Sequence, residues 1–357
     1  MIRTPLMLLA FVAFAPAAGA LAQDNPAIAD DGKDVRNAVC AASTDPLSTA
    51  VNYIVGALKQ DQSNPSGVLP IPRRQVFVSD AQRAGLSQKR IVLFGDWFGM
   101  PKDTPPYVGD ELRAIFTRAD MVINNIEAPI TYNGGALDSN SDQTFNFHEN
   151  VAYIKSSMAQ LCIDPGKAVF TVANNHAGDR EGAIGRTLWG DTVTYSPKLG
   201  ATIVGIDKNP AREPEITVKD LGGGLRVGIV AWTHIQNNTP ATGPVGAGTD
   251  VKGVVYPTWE ASRRVFDQPK EYWAAKKAAL GLKLLVGVPH WDCQWHLFPR
   301  SETVQWADEL HQKGFDLVAG GHTGLMPAKV YANGDNDMTF YSLGALNNGL
   351  GWVSGWV

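Results

Sequence analysis

Residues 168–176 read Ala-Val-Phe-Thr-Val-Ala-Asn-Asn-His: six residues of strand character running straight into two amides and an imidazole. A continuous apolar run of this length, with no polar alternation, is the pattern of a strand buried on both faces. The same pattern recurs along the chain. Ile91–Phe94 runs into Gly95-Asp96, and Met121–Asn124 into Asn125-Ile126-Glu127. Leu284–Pro289 runs into His290-Trp291, and Asp316–Ala319 into Gly320-Gly321-His322. Arg226–Trp232 is a further apolar run. Between the last two polar ends, Ser301–Lys313 spaces Val304, Trp306-Ala307 and Leu310 as a helix does. Buried strands alternating with helices predict an α/β fold with a mostly parallel sheet.

Parallel α/β sheets bind ligands beyond the carboxyl ends of their strands, where loops converge. Five such ends here carry Asp96, Glu127, Asn175-His176, His290 and His322. Carboxylate oxygen, amide oxygen and imidazole nitrogen together suit a divalent transition metal. Taken singly, each residue has a plainer reading. Gly95-Asp96 reads equally as a turn, Glu127 as a solvated loop carboxylate, and Asn174-Asn175-His176 as a turn with side-chain hydrogen bonds. His290 and His322 each read equally as satisfied core histidines. Their common position at strand ends is what marks all five together.

With these segments in view, the chain resembles the capsule-synthesis protein (CapA) family, the poly-γ-glutamate capsule group of the calcineurin-like metallophosphoesterase superfamily. The resemblance spans about residues 90–348. It rests on Gly95-Asp96, Asn125-Ile126-Glu127-Ala128-Pro129-Ile130-Thr131, Ala173-Asn174-Asn175-His176, His290-Trp291, Gly321-His322 and Tyr341-Ser342-Leu343-Gly344. It implies a metallophosphoesterase-like four-layer α/β/β/α sandwich with a mostly parallel central sheet. By the same resemblance, Glu127 takes the bridging-carboxylate position, and Asn175, His290 and His322 complete one metal. His176 matches the histidine that protonates or steadies the substrate.

The chain also departs from that pattern. Phe98 stands where the superfamily has a histidine two residues after Asp96, and Gly324 where it has one two residues after His322. Both changes fall on the same ion. The resemblance therefore implies one divalent metal ion (Mn, Zn or Fe) and a degenerate second site, with Asp96 as a weak ligand or a water-orienting base. Gln294 replaces the family's usual glutamate after His290-Trp291. His234 and His296 are candidate substitutes, against a plainer reading as core or surface histidines.

Outside this region the sequence sets bounds. The N-terminus carries Arg3, an apolar run from Leu6 to Ala15 and Ala20-Leu21-Ala22, which reads as a signal peptide cleaved after Ala22. Three regions are expected: residues 1–22 as signal peptide, 23–88 as an extension packed on the core, and 89–357 as the metallophosphoesterase-type domain. The destination would be the periplasm or the exterior. The net charge of −4 holds no basic excess to neutralise phosphates, so nucleic-acid binding is not expected. Three cysteines (Cys40, Cys162 and Cys293) leave at least one thiol free, with a Cys40–Cys162 disulfide open. Thr131–Thr144 and Asn237–Val251 read as long functional loops.

Three functions compete on this reading. One is a component of synthesis or export of an extracellular anionic polymer such as poly-γ-glutamate, with membrane components of that machinery as partners. Another is a free-standing metal-dependent hydrolase of phosphoesters or γ-glutamyl amides. The last is a binding module with a degenerate site. Arg180, Arg186 and Arg300 follow motif segments and are candidate anion contacts, each equally an ordinary surface or salt-bridge arginine.

Overall fold

The computed structural model describes residues 89–97, 109–132, 149–179, 188–206, 213–234, 259–292, 298–322, 328–330 and 337–347. The expected signal peptide, the N-terminal extension and Cys40 lie outside the described residues. So do most of both long loops, Phe98, Arg180, Arg186, Cys293, Gln294, His296 and Gly324.

In chain order, β1 (Ile91–Leu93) and β2 (Asp96–Trp97) are followed by α1 (Asp110–Thr117), β3 (Met121–Asn125), β4 (Ile130–Thr131) and β5 (Glu149–Asn150). Next come α2 (Val151–Leu161), β6 (Ala168–Thr171), α3 (Trp189–Tyr195), β7 (Thr202–Val204), β8 (Thr217–Asp220) and β9 (Arg226–Thr233). The remainder is α4 (Trp259–Asp267), α5 (Lys270–Leu280), β10 (Leu284–His290), α6 (Ser301–Gln312), β11 (Leu317–Ala319), β12 (Ala328–Val330), β13 (Met338–Phe340) and β14 (Ala345–Asn347).

The strands form two main sheets. The first has the order β1-β3-β6-β7 and is parallel throughout. The second has the order β12-β13-β11-β10-β9-β8, parallel in its middle and antiparallel at its two edges. Side-chain alternation sorts these sheets into layers. Met121, Ile123 and Val169 of the first sheet pack against Val227, Ile229, Val286 and Val288 of the second. The alternate residues Val122 and Phe170 face away, onto Phe116 of α1 and Ile154 and Met158 of α2. On the far side, Val230, Trp232 and Leu285 pack on Val265 of α4, Trp273 of α5 and Leu310 of α6. The result is an α/β/β/α sandwich.

This is the mostly parallel α/β/β/α sandwich that the resemblance implies, although the apolar runs alone did not divide the strands between two sheets. A strand covered by a second sheet is as continuously apolar as one covered by helices, so run composition does not separate the two cases. The helix expected over Ser301–Lys313 runs from Ser301 to Gln312, and its deepest face is Thr303, Ala307, Leu310 and His311. Val304 and Trp306 are only partly buried against it.

A short strap closes the two sheets together. After β13 in the second sheet, Tyr341-Ser342-Leu343-Gly344 crosses over so that β14 pairs with β2 beyond the end of β1. The Leu343 N–H donates to the Gly320 carbonyl at 2.9 Å, and the Asp96 N–H donates to the Gly344 carbonyl at 2.9 Å. Gly95 has no alternative in this crossing, because a Cβ there would run into the Gly344 carbonyl. No described helix is long and apolar enough to cross a membrane.

Candidate metal centre

Parallel pairing puts the polar strand ends on one edge. Asn125 is level with Thr171 across β3 and β6, and His290 is level with Thr233 across β10 and β9. Because the two sheets stack with their carboxyl ends on the same side, side chains from both converge there. Glu127, His290 and His322 are buried, and each offers a ligand atom within 4.8 Å of the others. Nε2 of His290 lies 2.7 Å from Oδ1 of Asn175 and 3.3 Å from Oε1 of Glu127. Nδ1 of His322 lies 3.9 Å from the same Glu127 oxygen. A carboxylate, an amide oxygen and two imidazoles, all removed from bulk water, form a donor set that fits one divalent transition ion.

Burial is what keeps His290 in the ligating form. It pushes the imidazole well below its ordinary pKa, and the neighbouring His322 and His176 push in the same direction. A neutral ring is the state that binds a metal.

Asp96 stands outside this group, and both of its oxygens accept hydrogen bonds. Oδ1 accepts from the Asn125 amide at 2.8 Å, and Oδ2 accepts from the His322 backbone N–H at 2.8 Å. It is 3.9 Å from Nδ1 of His290. Burial pushes the Asp96 carboxyl upward, while those two hydrogen bonds pull it down. In this arrangement the residue ties the first sheet to the turn that carries His322. That turn is strained, since His322 has a left-handed φ of 86°. The approach also requires Gly321, where a Cβ would come within 2.7 Å of Asp96 Oδ1.

Three further residues build the site: Asn125 and Asn174, which the sequence offered only as motif neighbours and turn formers, and Asp179, which it did not single out. Asn125 is the hub: besides bonding Asp96, its Oδ1 accepts from Thr171 Oγ1 at 3.1 Å and from Asn174 Nδ2 at 3.0 Å. Asn174 also donates to the Ile126 carbonyl at 2.7 Å and accepts from the His176 N–H at 3.1 Å, which fixes the turn that presents Asn175 and His176. Asp179 is the third. Its Oδ2 lies 2.7 Å from Nδ1 of His176, with both side chains buried. A carboxylate three residues beyond a strand-end histidine was visible in the sequence as Asn-Asn-His-Ala-Gly-Asp and was the available signal.

The other candidates sit elsewhere. His234 is in an aromatic cluster, its ring centre 4.6 Å from that of Trp306, and its Nε2 accepts from Trp232 Nε1 at 3.2 Å. Burial, helped by the Arg300 charge, pushes it down to about 3. It is a neutral core histidine. Arg300 is buried and paired with Asp292. Cys162 ends α2 as a free thiol 3.4 Å from Arg113 Nε.

A profile of the family described as bacterial capsule synthesis protein PGA_cap matches residues 76–349. No curated protein matches the chain. Among solved structures, it is similar to a hypothetical protein from Thermus thermophilus, with 15% identity, 72% of this chain and 76% of that chain covered, and a TM-score of 0.39. It is also similar to a novel phosphatase from Mycoplasma pneumoniae, with 11% identity, 72% of each chain covered and a TM-score of 0.37.

Proposed function

The chain belongs to the bacterial capsule synthesis protein family PGA_cap, and from that membership we propose that it serves the synthesis or export of an extracellular anionic polymer of the poly-γ-glutamate type, through a hydrolytic site holding one divalent metal ion. Glu127, Asn175, His290 and His322 would hold the ion. When bound, it supplies a Lewis acid that polarises the scissile group. Asp96 and Asn125 keep the two ligand histidines in register. His176, with a proton on each ring nitrogen, gives the one on Nε2 to the group that leaves as water bonds to the scissile centre, while Asp179 accepts from Nδ1 and so fixes the ring orientation. The chain acts outside the cytoplasm after cleavage behind Ala22, beside membrane components of the polymer machinery.

The observation that carries this reading is the buried His176–Asp179 pair next to the ligand set. A module that only binds has no use for an oriented proton donor at its metal. The test uses protein purified without chelators. Metal content per chain is measured, and turnover of a phosphodiester and of a γ-glutamyl amide polymer is compared with that of His176→Ala. The reading expects bound metal, and turnover that His176→Ala removes. A chain that holds metal yet turns over neither substrate returns the site to a binding role.

A further inference from the structure

The two ring nitrogens of His290 face different company. Nε2 has acceptors before it, Asn175 Oδ1 at 2.7 Å and Glu127 Oε1 at 3.3 Å. Nδ1 has Asn125 Nδ2 at 3.4 Å and Asp96 Oδ1 at 3.9 Å. A chain of hydrogen bonds fixes which end of Asn125 lies there. The Ile126 carbonyl can only accept, so the end of the Asn174 amide 2.7 Å from it is nitrogen. That nitrogen also donates to Asn125 at 3.0 Å, as does Thr171 Oγ1 at 3.1 Å. Asn125 therefore turns its oxygen towards them and its nitrogen towards Asp96 and His290. A donor at Nδ1 and acceptors at Nε2 put the one hydrogen of the neutral ring on Nε2. Metal binding requires that same nitrogen without its hydrogen. The hydrogen must then sit on Nδ1, where it meets the Asn125 nitrogen, donor against donor. Among the described residues the acceptor within reach is Asp96 Oδ1. Two features keep the way between them open. Gly321 stands beside both, and a Cβ there would lie 2.7 Å from Asp96 Oδ1 and 3.3 Å from His290 Nδ1. A cavity of about 10 Å³, room for one water molecule, is lined by Asp96, Asn125, His290 and Gly321.

We propose that Asp96 is the positioning residue that makes His290 a metal ligand: its Oδ1 accepts from His290 Nδ1–H in the loaded chain, and the ring changes tautomer as the ion is taken up. One hydrogen leaves Nε2 for solvent and one arrives at Nδ1, so the ring stays neutral and no net proton is gained or lost. Asp96 is then not a ligand, in contrast to the weak-ligand role that the resemblance implies. A carboxylate behind a ligand imidazole fixes the ring and raises its basicity, and so sets how tightly the ion is held. The inference rests on the metal-holding part of the proposed function and deepens it. It gives Asp96 a task at the ligand itself, besides holding the His322 turn through the His322 N–H.

The test is long-range proton–nitrogen NMR of the full chain labelled in its histidines, without metal and with zinc. The His290 signals are assigned by their loss in His290→Gln. The metal-free chain should carry the His290 hydrogen on Nε2, and the zinc-loaded chain on Nδ1. These wild-type spectra decide the change of tautomer even if a variant at position 96 fails to fold. Asp96→Asn should bind zinc about 10- to 100-fold more weakly in competition with a chelator. At saturating zinc its His290 Nδ1–H resonance should move from the wild-type position, which loosening of the His322 turn alone would not cause. Its cobalt-loaded visible spectrum should match that of the wild type, because no ligand has been lost. A hydrogen on the same nitrogen in both metal states overturns the inference, as does wild-type zinc affinity, an unmoved Nδ1–H resonance or a cobalt spectrum showing one ligand fewer in Asp96→Asn. Each of these leaves the metal reading standing, whereas a wild-type chain that binds no zinc overturns both.

Discussion

Nδ1 of His176 lies 2.7 Å from Oδ2 of Asp179, both groups buried at the mouth of the first sheet. Neither residue belongs to the Glu127–His290–His322 group that could hold an ion. Asp179→Asn should therefore lower turnover by about 10²-fold or more while leaving bound metal in place. Steady-state kinetics and metal analysis on the same preparation check this. Loss of metal together with activity would mean that Asp179 acts by holding the fold of the turn.

Metal binding should follow the donor set. Purified chain is expected to carry about one tightly bound ion, retained through dialysis. His290→Ala and His322→Ala should abolish tight binding, because each removes an imidazole that no described neighbour replaces. His176→Ala should keep the ion. Elemental analysis in protein-molar units reads all four proteins, and two ions retained by the wild type would refute the single-site stoichiometry.

Gly95 is where a methyl group does the most damage. A Cβ there meets backbone, the Gly344 carbonyl, which cannot swing aside as a side chain would. Gly95→Ala should destabilise the chain by about 1–3 kcal/mol. It should also weaken metal binding, since the strap and Asp96 move together. Urea denaturation with and without added metal separates the two effects.

His234 gives stability a pH dependence whose sign is fixed. Its pKa falls from the ordinary 6.5 to about 3 on folding. The unfolded chain therefore takes up a proton below pH 6.5 that the folded chain refuses until about pH 3. Stability is intact above the first value and drains away as pH falls towards the second, by on the order of 5 kcal/mol in all. Replacing His234 with Phe should flatten that limb of the profile. Chemical denaturation at a series of pH values between about 7 and about 4 is the check, and an unchanged slope in His234→Phe would exclude this group as the cause.

Much of the ligand edge was legible because it is a local signal repeated. Each run of apolar residues ends abruptly in a group with coordinating or proton-transfer chemistry, and parallel pairing alone brings such ends to one side. The division into two sheets was not legible from the runs, because Ile123 facing another sheet and Val122 facing helices look alike in sequence. The network behind the ligands was hidden for a different reason. Asn125 works through partners at positions 96, 171, 174 and 290, and no spacing rule links those positions before the chain is folded. His234 shows the converse. It follows an apolar run just as the ligand histidines do, yet its ring turns into Trp306 and Phe266 on the far face of the second sheet.

The Tyr341–Gly344 strap makes the centre a late product of chain completion. Asp96, near the start of the described domain, gains its backbone partner only when residue 344 arrives, and the pairing of β2 with β14 spans almost the whole domain. Until that closure Asp96 has no fixed place from which to grip the His322 turn, and the two halves of the ligand set belong to separate sheets. A contact of such long range forms slowly compared with the local strands it joins. A chain short of residue 344 thus owns Glu127, His290 and His322 but lacks the corner that ties their two sheets together.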